Sequence, residues 1–467
     1  MAMAFFAVAY LFLPSHNMTA DAISYAADVK YGTDLLLPHH LLYNAFMWFI
    51  YKFVTALGVS VEVVSFMCCV NAIFSLATLA VLYMTIKRIS TQQTALASMV
   101  FAGSCFGFLR YTLECEVYIP PLFFSMVSSY FFVRYASEGR IWQVLAMGLM
   151  ASLACLFHQV HLFWGVALFI GIAWLKRYRD MFVFASVTLT VPLVYAVVVF
   201  VRDGFLTSDN LMQYIAYYYY TPASKVSGIG FKNLIMSPVS FIRSFIQLHG
   251  DIAIQVSLKP YLYVLIITLP VAALFLLYKI VVTTDIRQNR NPGIMAAHVA
   301  AFLLQLLFAI YSSGNMEFMV MLPFALLIIL SLSVRLKNKY VIMLSCLMLV
   351  WNMFFAVIPN HFYNKYATEK LSEYVHEHPD AEVVAYDALT VRALCHLNYG
   401  DRESPNCYPP DSLPSNVFVT DILDRPMPFN RFKFVTSLTT DSLMILDTVQ
   451  TVQADYGTYH LFKVKAR

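Results

Sequence analysis

Carboxylates and imidazoles crowd one polar stretch, residues 14 to 61. Asp21, Tyr25 and Asp28 recur at i, i+4 and i+7, a spacing that places them on one helix face. Asp34 follows in a turn, and Pro38, His39 and His40 open the next segment. A carboxylate here can take a proton from an incoming hydroxyl, and a helix N-terminus flanked by histidine is a ready phosphate site. A second cluster is the nine-residue stretch Arg110-Tyr-Thr-Leu-Glu114-Cys-Glu116-Val-Tyr118, three charges held between two apolar runs. A third is Ser313-Gly314-Asn315-Met316-Glu317, where Glu317 stands just as hydrophobic sequence resumes. His158 and His161 end an apolar run nearby in the pattern. Singly, an acidic loop residue is more often solvation than chemistry, and a lone histidine at the end of a span more often packs at the interface.

The elements that must carry these groups are membrane spans. Of 467 residues, 60% are hydrophobic, 16% aromatic and only 12% charged. A soluble domain carries about 25% charged residues, so a soluble globular enzyme is excluded, and nothing supports nucleic-acid binding. The apolar blocks have the length of crossing helices rather than the weak ten-residue alternation of barrel strands. They predict eleven spans: 1–13, 62–86, 94–109, 119–135, 142–157, 162–175, 181–201, 259–278, 294–311, 317–333 and 340–358. The first is short and lacks the basic n-region of a signal peptide, so it reads as a true helix. Alternate short loops hold thirteen of the 31 Lys and Arg but only Glu138, Asp180 and Asp285 as acids. The positive-inside rule places those loops in the cytoplasm of a multi-pass cell (inner) membrane protein. The segments 14–61, 110–118, 202–258, 312–316 and 359–467 then face outward.

Within the first outer segment, Asn17 or Thr19 caps a helix over Ala20–Tyr31, which Gly32 ends. The next helix runs from His39 to about Leu57, with Gly58 ending it. His40, Asn44, Lys52 and Thr55 share one side and Phe46, Phe49, Ile50 and Phe53 lie opposite, predicting a helix on the membrane surface. The fold class is therefore an all-α polytopic membrane domain, 1–358, plus a small extracytoplasmic α/β domain, 359–467. Alternation at Glu382-Val-Val-Ala-Tyr, Asn416-Val-Phe-Val-Thr and Tyr459-His-Leu-Phe-Lys-Val predicts its strands. Cys395 and Cys407, twelve apart, either bridge in an oxidising compartment or stay two buried thiols. The run Tyr217–Tyr220 in the long loop reads first as an interfacial anchor and second as a sugar-stacking surface.

Four patches, in order, resemble the C-type (GT-C) glycosyltransferase superfamily of polytopic membrane enzymes, in particular bacterial members that use polyprenyl-phosphate-linked sugars. They are Thr19-Ala20-Asp21-Ala22-Ile23-Ser24-Tyr25, Leu37-Pro38-His39-His40-Leu41-Leu42-Tyr43, Glu116-Val117-Tyr118 and Gly314-Asn315-Met316-Glu317-Phe318. The resemblance covers the topology of residues 1 to about 330. It implies a transfer from a polyprenyl-phosphate sugar donor to a lipid, glycan or protein acceptor, with the donor tail among membrane lipids. Asp21 is then the base. His39, His40, Arg110 and Tyr118 are candidates for the donor phosphate. Asp28, Glu114, Glu116 and Glu317 are candidates for orienting the sugar or holding a divalent cation such as Mg or Mn. The second outer loop departs from the family pattern: it has Glu114 and Glu116 spaced by one residue rather than an adjacent acidic pair, which bears on metal dependence. Two alternatives belong to other classes. A transporter or flippase would gather charge at mid-membrane, whereas here charge gathers at span ends. A polysaccharide polymerase or ligase would use groups such as Arg243 and His249 in the 202–258 loop.

Overall fold

The computed structural model describes residues 2–216, 230–248, 251–288, 291–312, 314–385, 387–402, 406–409, 417–423 and 443–466. Tyr217–Tyr220, His249, Ser313 and Asn416 lie outside the described residues. Each of the eleven apolar blocks is helical, but the count of eleven crossings does not carry over. Among the described residues, six helices are long and apolar enough to cross a membrane: Val63–Ile89, Tyr178–Asp203, Pro260–Val282, Pro292–Tyr311, Met316–Ser333 and Asn338–Phe362. A seventh span forms if Gln92–Ser104 and Phe106–Leu113, bent by 61°, are taken together. Ala2–Phe12, Ile141–Phe157 and Gln159–Trp174 are apolar but shorter. An eleven-residue helix is only about 16 Å long, so apolar character alone does not establish a crossing.

We label the first helices α1 (Ala2–Phe12), α2 (Ala20–Tyr31), α3 (Tyr43–Ala56), α4 (Val63–Ile89), α5 (Gln92–Ser104), α6 (Phe106–Leu113) and α7 (Ile119–Glu138). Helix α2 begins and ends where its cap residues dictate. Thr19 Oγ1 accepts from the Ala22 N–H at 3.1 Å. Gly32 adopts the left-handed conformation (φ +75°) and returns its N–H to the Asp28 carbonyl at 2.7 Å. A 3₁₀ turn over Pro38–His40 precedes α3. The faces of α3 differ from expectation: His40 and Asn44 are fully buried, while Phe49 and Phe53 are 67% and 58% exposed. The end of the polar side that carries His40 and Asn44 turns into the protein, where α2 packs and Asp28 accepts from Asn44 Nδ2, while Lys52 stays exposed. Phe49 and Phe53 are left outward, where a lipid phase would take them, and Phe46 packs inward on Phe74 and Phe157.

The break between α5 and α6 at Cys105 frees backbone donors, and residues from the far loop satisfy them. Phe106 N–H and Gly107 N–H donate to the carbonyls of Phe245 and Ser244, each at 3.0 Å. This lays the segment 243–247 against α6.

The five basic loops meet at one end. Glu138 takes Arg88, Arg134 and Arg140 together. Arg177 Nη1 donates to the Tyr135 carbonyl at 3.2 Å and Arg287 Nη1 to Ser90 Oγ at 3.3 Å. The short strands β1 (Asp285–Ile286) and β2 (Val334–Arg335) pair antiparallel. The groups with chemistry gather at the opposite end.

Beyond the last span lies the expected α/β unit. Strands β3 (Val383–Val384), β4 (Cys407–Tyr408), β5 (Val417–Leu423), β6 (Leu443–Ala454) and β7 (Gly457–Ala466) form one sheet in the order β4-β3-β5-β7-β6. β3 runs parallel to β4 and β5, and β7 antiparallel to β5 and β6. Strand β6 went unnamed in the sequence because two register shifts break its alternation. Cys395 and Cys407 form no disulfide; both thiols are buried in the core with Leu371, Val383 and Leu461. The unit sits on α2. Lys30 Nζ and Tyr31 Oη donate to the Leu397 carbonyl at 2.7 and 3.2 Å, and Tyr31 stacks on His396 with centroids 5.4 Å apart. Asp34 pairs with Arg402.

Candidate active site

Asp21 stands exposed in the first turn of α2, where the helix N-terminus favours a carboxylate. The atoms packed around it desolvate the carboxyl and raise its pKa from the ordinary value. Its charge reaches two acids, buried Glu116 and half-buried Glu317. Thr19 joins this group to the helix cap: its hydroxyl accepts from Ala22 N–H and donates to Glu116 Oε1 at 2.5 Å. Burial pushes the Glu116 carboxyl up to about 8; the charges of Glu114 and Asp21 add to this and the Thr19 hydrogen bond opposes it.

The second outer loop is pinned from both sides. Asn71, buried in the middle of α4, donates to the carbonyls of Glu114 and Glu116 at 2.9 and 2.8 Å. Cys115 Sγ lies 3.2 Å from the Ala22 carbonyl, tying the loop to α2. Sequence reading passed over Asn71 as part of an apolar span. The signal was present, since an amide inside an apolar helix of 27 residues needs a partner. Tyr118 lies between Tyr111 and His158, with ring centroids 4.6 and 5.3 Å away, and hydrogen-bonds Glu317. Asn315 also bonds Glu317 and caps the turn before it.

Arg110 Nε meets Glu114 Oε1 at 3.1 Å, and its guanidinium lies 5.3 Å from the Tyr111 ring centroid. Burial raises the Glu114 carboxyl, opposed by Arg110. Arg243, delivered by the segment laid against α6, stands close enough for the two arginine charges to repel. Both line a polar cavity of about 360 Å³ together with Thr19, Glu114, Gln247 and Lys365. Lys365 Nζ pairs with Asp251 at 3.1 Å on its wall.

The histidines form a separate group. His39 and His40 lie edge to face with centroids 4.3 Å apart, and His40 packs its ring on Tyr25 at 4.7 Å. Burial holds the His39 imidazole down to about 4 and keeps His40 and His158 well below the ordinary value. At neutral pH these rings are uncharged. The fixed positive charge of this layer lies on Arg110 and Arg243 rather than on the imidazoles. His161 is committed to Ser125 Oγ at 2.7 Å.

Asp28 leaves the expected face-sharing set. Two turns along α2 from Asp21, it is buried, accepts from Thr33 Oγ1 at 2.8 Å and from Asn44 Nδ2 at 3.3 Å, and fastens α2 to α3. Burial pushes its carboxyl up to about 7. The structure thus brings Asp21, Glu116, Glu317, Tyr118, Arg110 and Glu114 into one polar layer and leaves Asp28, Cys395 and Cys407 outside it. Among the described residues, no three His, Cys, Asp or Glu side chains group to hold a metal ion. Glu114 is engaged by Arg110 and Glu116 by Thr19, so this donor set does not fit a protein-built cation cage.

Residues 37–201 match the model of the dolichyl-phosphate-mannose-protein mannosyltransferase family. Among solved structures, the chain is similar to ArnT from Cupriavidus metallidurans bound to undecaprenyl phosphate, at 12% identity and a TM-score of 0.46 over 99% of this chain and 96% of that one. It is also similar to the S. cerevisiae protein O-mannosyltransferase Pmt1–Pmt2 complex bound to the sugar donor, at 19% identity and a TM-score of 0.34 over 45% of this chain and 33% of that one. A third is the Archaeoglobus fulgidus oligosaccharyltransferase, at 12% identity and a TM-score of 0.39 over 85% of this chain and 61% of that one. No curated protein sequence matches the chain. The family match takes in His39, His40, Arg110, Glu114, Glu116 and Tyr118, and so two of the four patches that carry the resemblance to the C-type polytopic membrane glycosyltransferases; the patches with Asp21 and Glu317 lie outside it.

Proposed function

We propose that this chain moves a sugar from a polyprenyl-phosphate donor to an acceptor at the outer face of a cell membrane, by a single displacement that inverts the anomeric centre. The observation that carries this reading is Asp21, an open carboxylate beside buried Glu116 and half-buried Glu317, at the same end as Arg110 and Arg243. A general base needs access to the acceptor's proton and a pKa lifted toward the working pH. Desolvation at the first turn of α2 supplies the lift. The departing lipid phosphate needs fixed positive charge, and the two arginines on the cavity wall supply it. The exposed phenylalanines of α3 give the donor tail an apolar wall at the membrane surface.

The test is to incubate purified full-length protein, in lipid, with a set of labelled polyprenyl-phosphate sugars, with and without EDTA. Sugar leaving the lipid supports the reading, and activity that survives EDTA assigns the phosphate charge to the arginines. No release from any donor, together with solute or lipid flux in vesicles, replaces the reading with transport.

A further inference from the structure

The helix Phe231–Arg243, in the long loop before the span Pro260–Val282, has its sides reversed. Asn233, Ser237, Ser240 and Ser244 recur at helical spacing, and each is 5% exposed or less. Phe231, Leu234, Ile235, Val239 and Ile242, on the opposite face, are 40–80% exposed. A helix in water does the contrary, as Thr368–Glu377 of the outer unit shows: Leu371 and Val375 are buried while Glu369, Lys370 and Glu377 are exposed. A contiguous exposed face of large apolar side chains marks contact with an apolar phase or partner. Lys232 and Arg243, the only charged residues of the helix, stand near its two ends.

The inward side is built for close approach. Ser237 and Ser244 return their hydroxyls to the Asn233 and Phe241 carbonyls at 2.5 and 2.6 Å, so burial leaves them answered. Small side chains let helices come together inside a membrane, where no hydrophobic drive does so. Ser237 lies so near the turn before the span Met316–Ser333 that a Cβ at Gly314 would stand 2.8 Å from its Oγ. Farther along, the Phe241 ring meets Phe302 with centroids 6.0 Å apart, in a cluster with Leu306, Ala309 and Leu322. Phe302 stands at the middle of the 20-residue span Pro292–Tyr311, and about 14 Å of helix separates it from the span end nearest the site. The helix therefore rests over the span ends at Gly314, and its Phe241 ring reaches hydrocarbon depth.

We propose that the helix Phe231–Arg243 is seated in the leaflet at the active-site end of the bilayer, with its apolar face against lipid acyl chains. Lipid is the occupant because the span on which Phe241 packs itself bares Leu303 and Leu307, so the exposed face of the helix stands beside a surface that lipid already covers. The polar side is turned to the protein and the apolar side to the membrane, the arrangement of a helix lying at the boundary of headgroups and acyl chains. The same helix ends in Arg243 on the cavity wall, so the bilayer sets the height at which that arginine is held. This seating belongs to the protein in its membrane and holds whatever reaction the site performs.

The experiment places photo-crosslinking benzoylphenylalanine singly at Ile235 and at Val239 of the full-length protein, in nanodiscs of phosphatidylethanolamine and phosphatidylglycerol. The illuminated peptides are read by mass spectrometry. Ile267, 64% exposed on the span Pro260–Val282, sets the yield of a lipid-facing position, and exposed Lys370 that of a water-facing one. Lipid adducts are expected at both 235 and 239 in yield like that at Ile267, and at least about tenfold above that at Lys370. Absence of a lipid adduct at either position, in preparations where Ile267 gives one, overturns the proposal and leaves the face in water. A crosslink from either position to protein in place of lipid, within the chain or in a second copy, overturns it as well and assigns the face to a protein partner. Sugar transfer, present or absent, moves neither result, so failure of the transferase reading and failure of the lipid seat are told apart.

Discussion

The two ends of the helical domain treat charge in opposite ways. At the basic end, Glu138 is met by Arg88, Arg134, Arg140 and the Gln143 amide. These groups are partly exposed and reciprocated, and all but Arg88 are close to Glu138 in the chain. At the other end, Glu114 keeps one oxygen unanswered, Arg243 one nitrogen and His40 both ring nitrogens, all buried among the described residues. Satisfied, solvated charge serves topology: it fixes which loops lie together. Buried charge without an answering group is unstable on its own account and persists only where something else is meant to answer it. The contrast locates function at the second end before any family is considered.

The largest effect expected is at Asp21. Asp21→Asn should lower single-turnover sugar transfer by about 10²–10⁴-fold, the usual contribution of a general base, with membrane insertion and thermal unfolding unchanged. Full activity in that variant removes Asp21 as the base and empties the contrast of its main consequence.

Next is the buried pair. Arg110→Met strands Glu114, which is 2% exposed, and should cost about 3 kcal/mol of stability in detergent unfolding, the low end for a broken buried pair because Arg110 is partly exposed. A loss below 0.5 kcal/mol would show that Glu114 is protonated and that the pair carries no charge.

A smaller effect is expected at Asp28, where burial is answered by Thr33 and Asn44. Asp28→Ala should cost about 1–3 kcal/mol by leaving those groups unanswered, and Asp28→Asn much less. The pH dependence has a definite sign. Folding raises this carboxyl from an ordinary value of about 4 to about 7, so the folded state holds the extra proton. Its contribution to stability is complete below pH 4 and declines as pH rises to 7. Asp28→Asn should flatten the unfolding profile across that window; an unchanged slope would place the titration elsewhere.

The smallest effect is at the basic end. Arg140 lies 3.9 Å from Glu138 and is well exposed, so Arg140→Ala should change stability by less than about 0.5 kcal/mol and leave transfer untouched. A large effect there would erase the contrast between the two ends.

Much of the local architecture was legible because its causes are local. Thr19 and Gly32 bound α2 as cap chemistry requires, and Gly58 follows α3 with φ +82°. Apolar blocks became helices. What misled was direction. Spacing places Asp21 and Asp28 on one face, yet one is open and the other is a strap, since α3 closes over only the second turn. His40 and Asn44, expected on the polar side of a surface helix, lie buried, with Asn44 on Asp28. The span count is not confirmed for a related reason: apolar composition reports the surroundings of a helix, whereas crossing also demands length.

By itself the sequence determined the class of molecule, the helical blocks, the loops that share an end and the carboxylate at the start of α2, because hydropathy, charge bias and capping act over a few residues. Tertiary structure alone decided that Arg243 and Gln247 meet Arg110 and Glu114 across more than a hundred residues, through two backbone hydrogen bonds at the α5–α6 break. It also decided that the imidazole pair is neutral, that Asn71 holds the glutamate loop, and that the outer unit closes the cavity. Burial and partnership set the charge and purpose of a polar side chain, and both are properties of the assembled neighbourhood rather than of the residue.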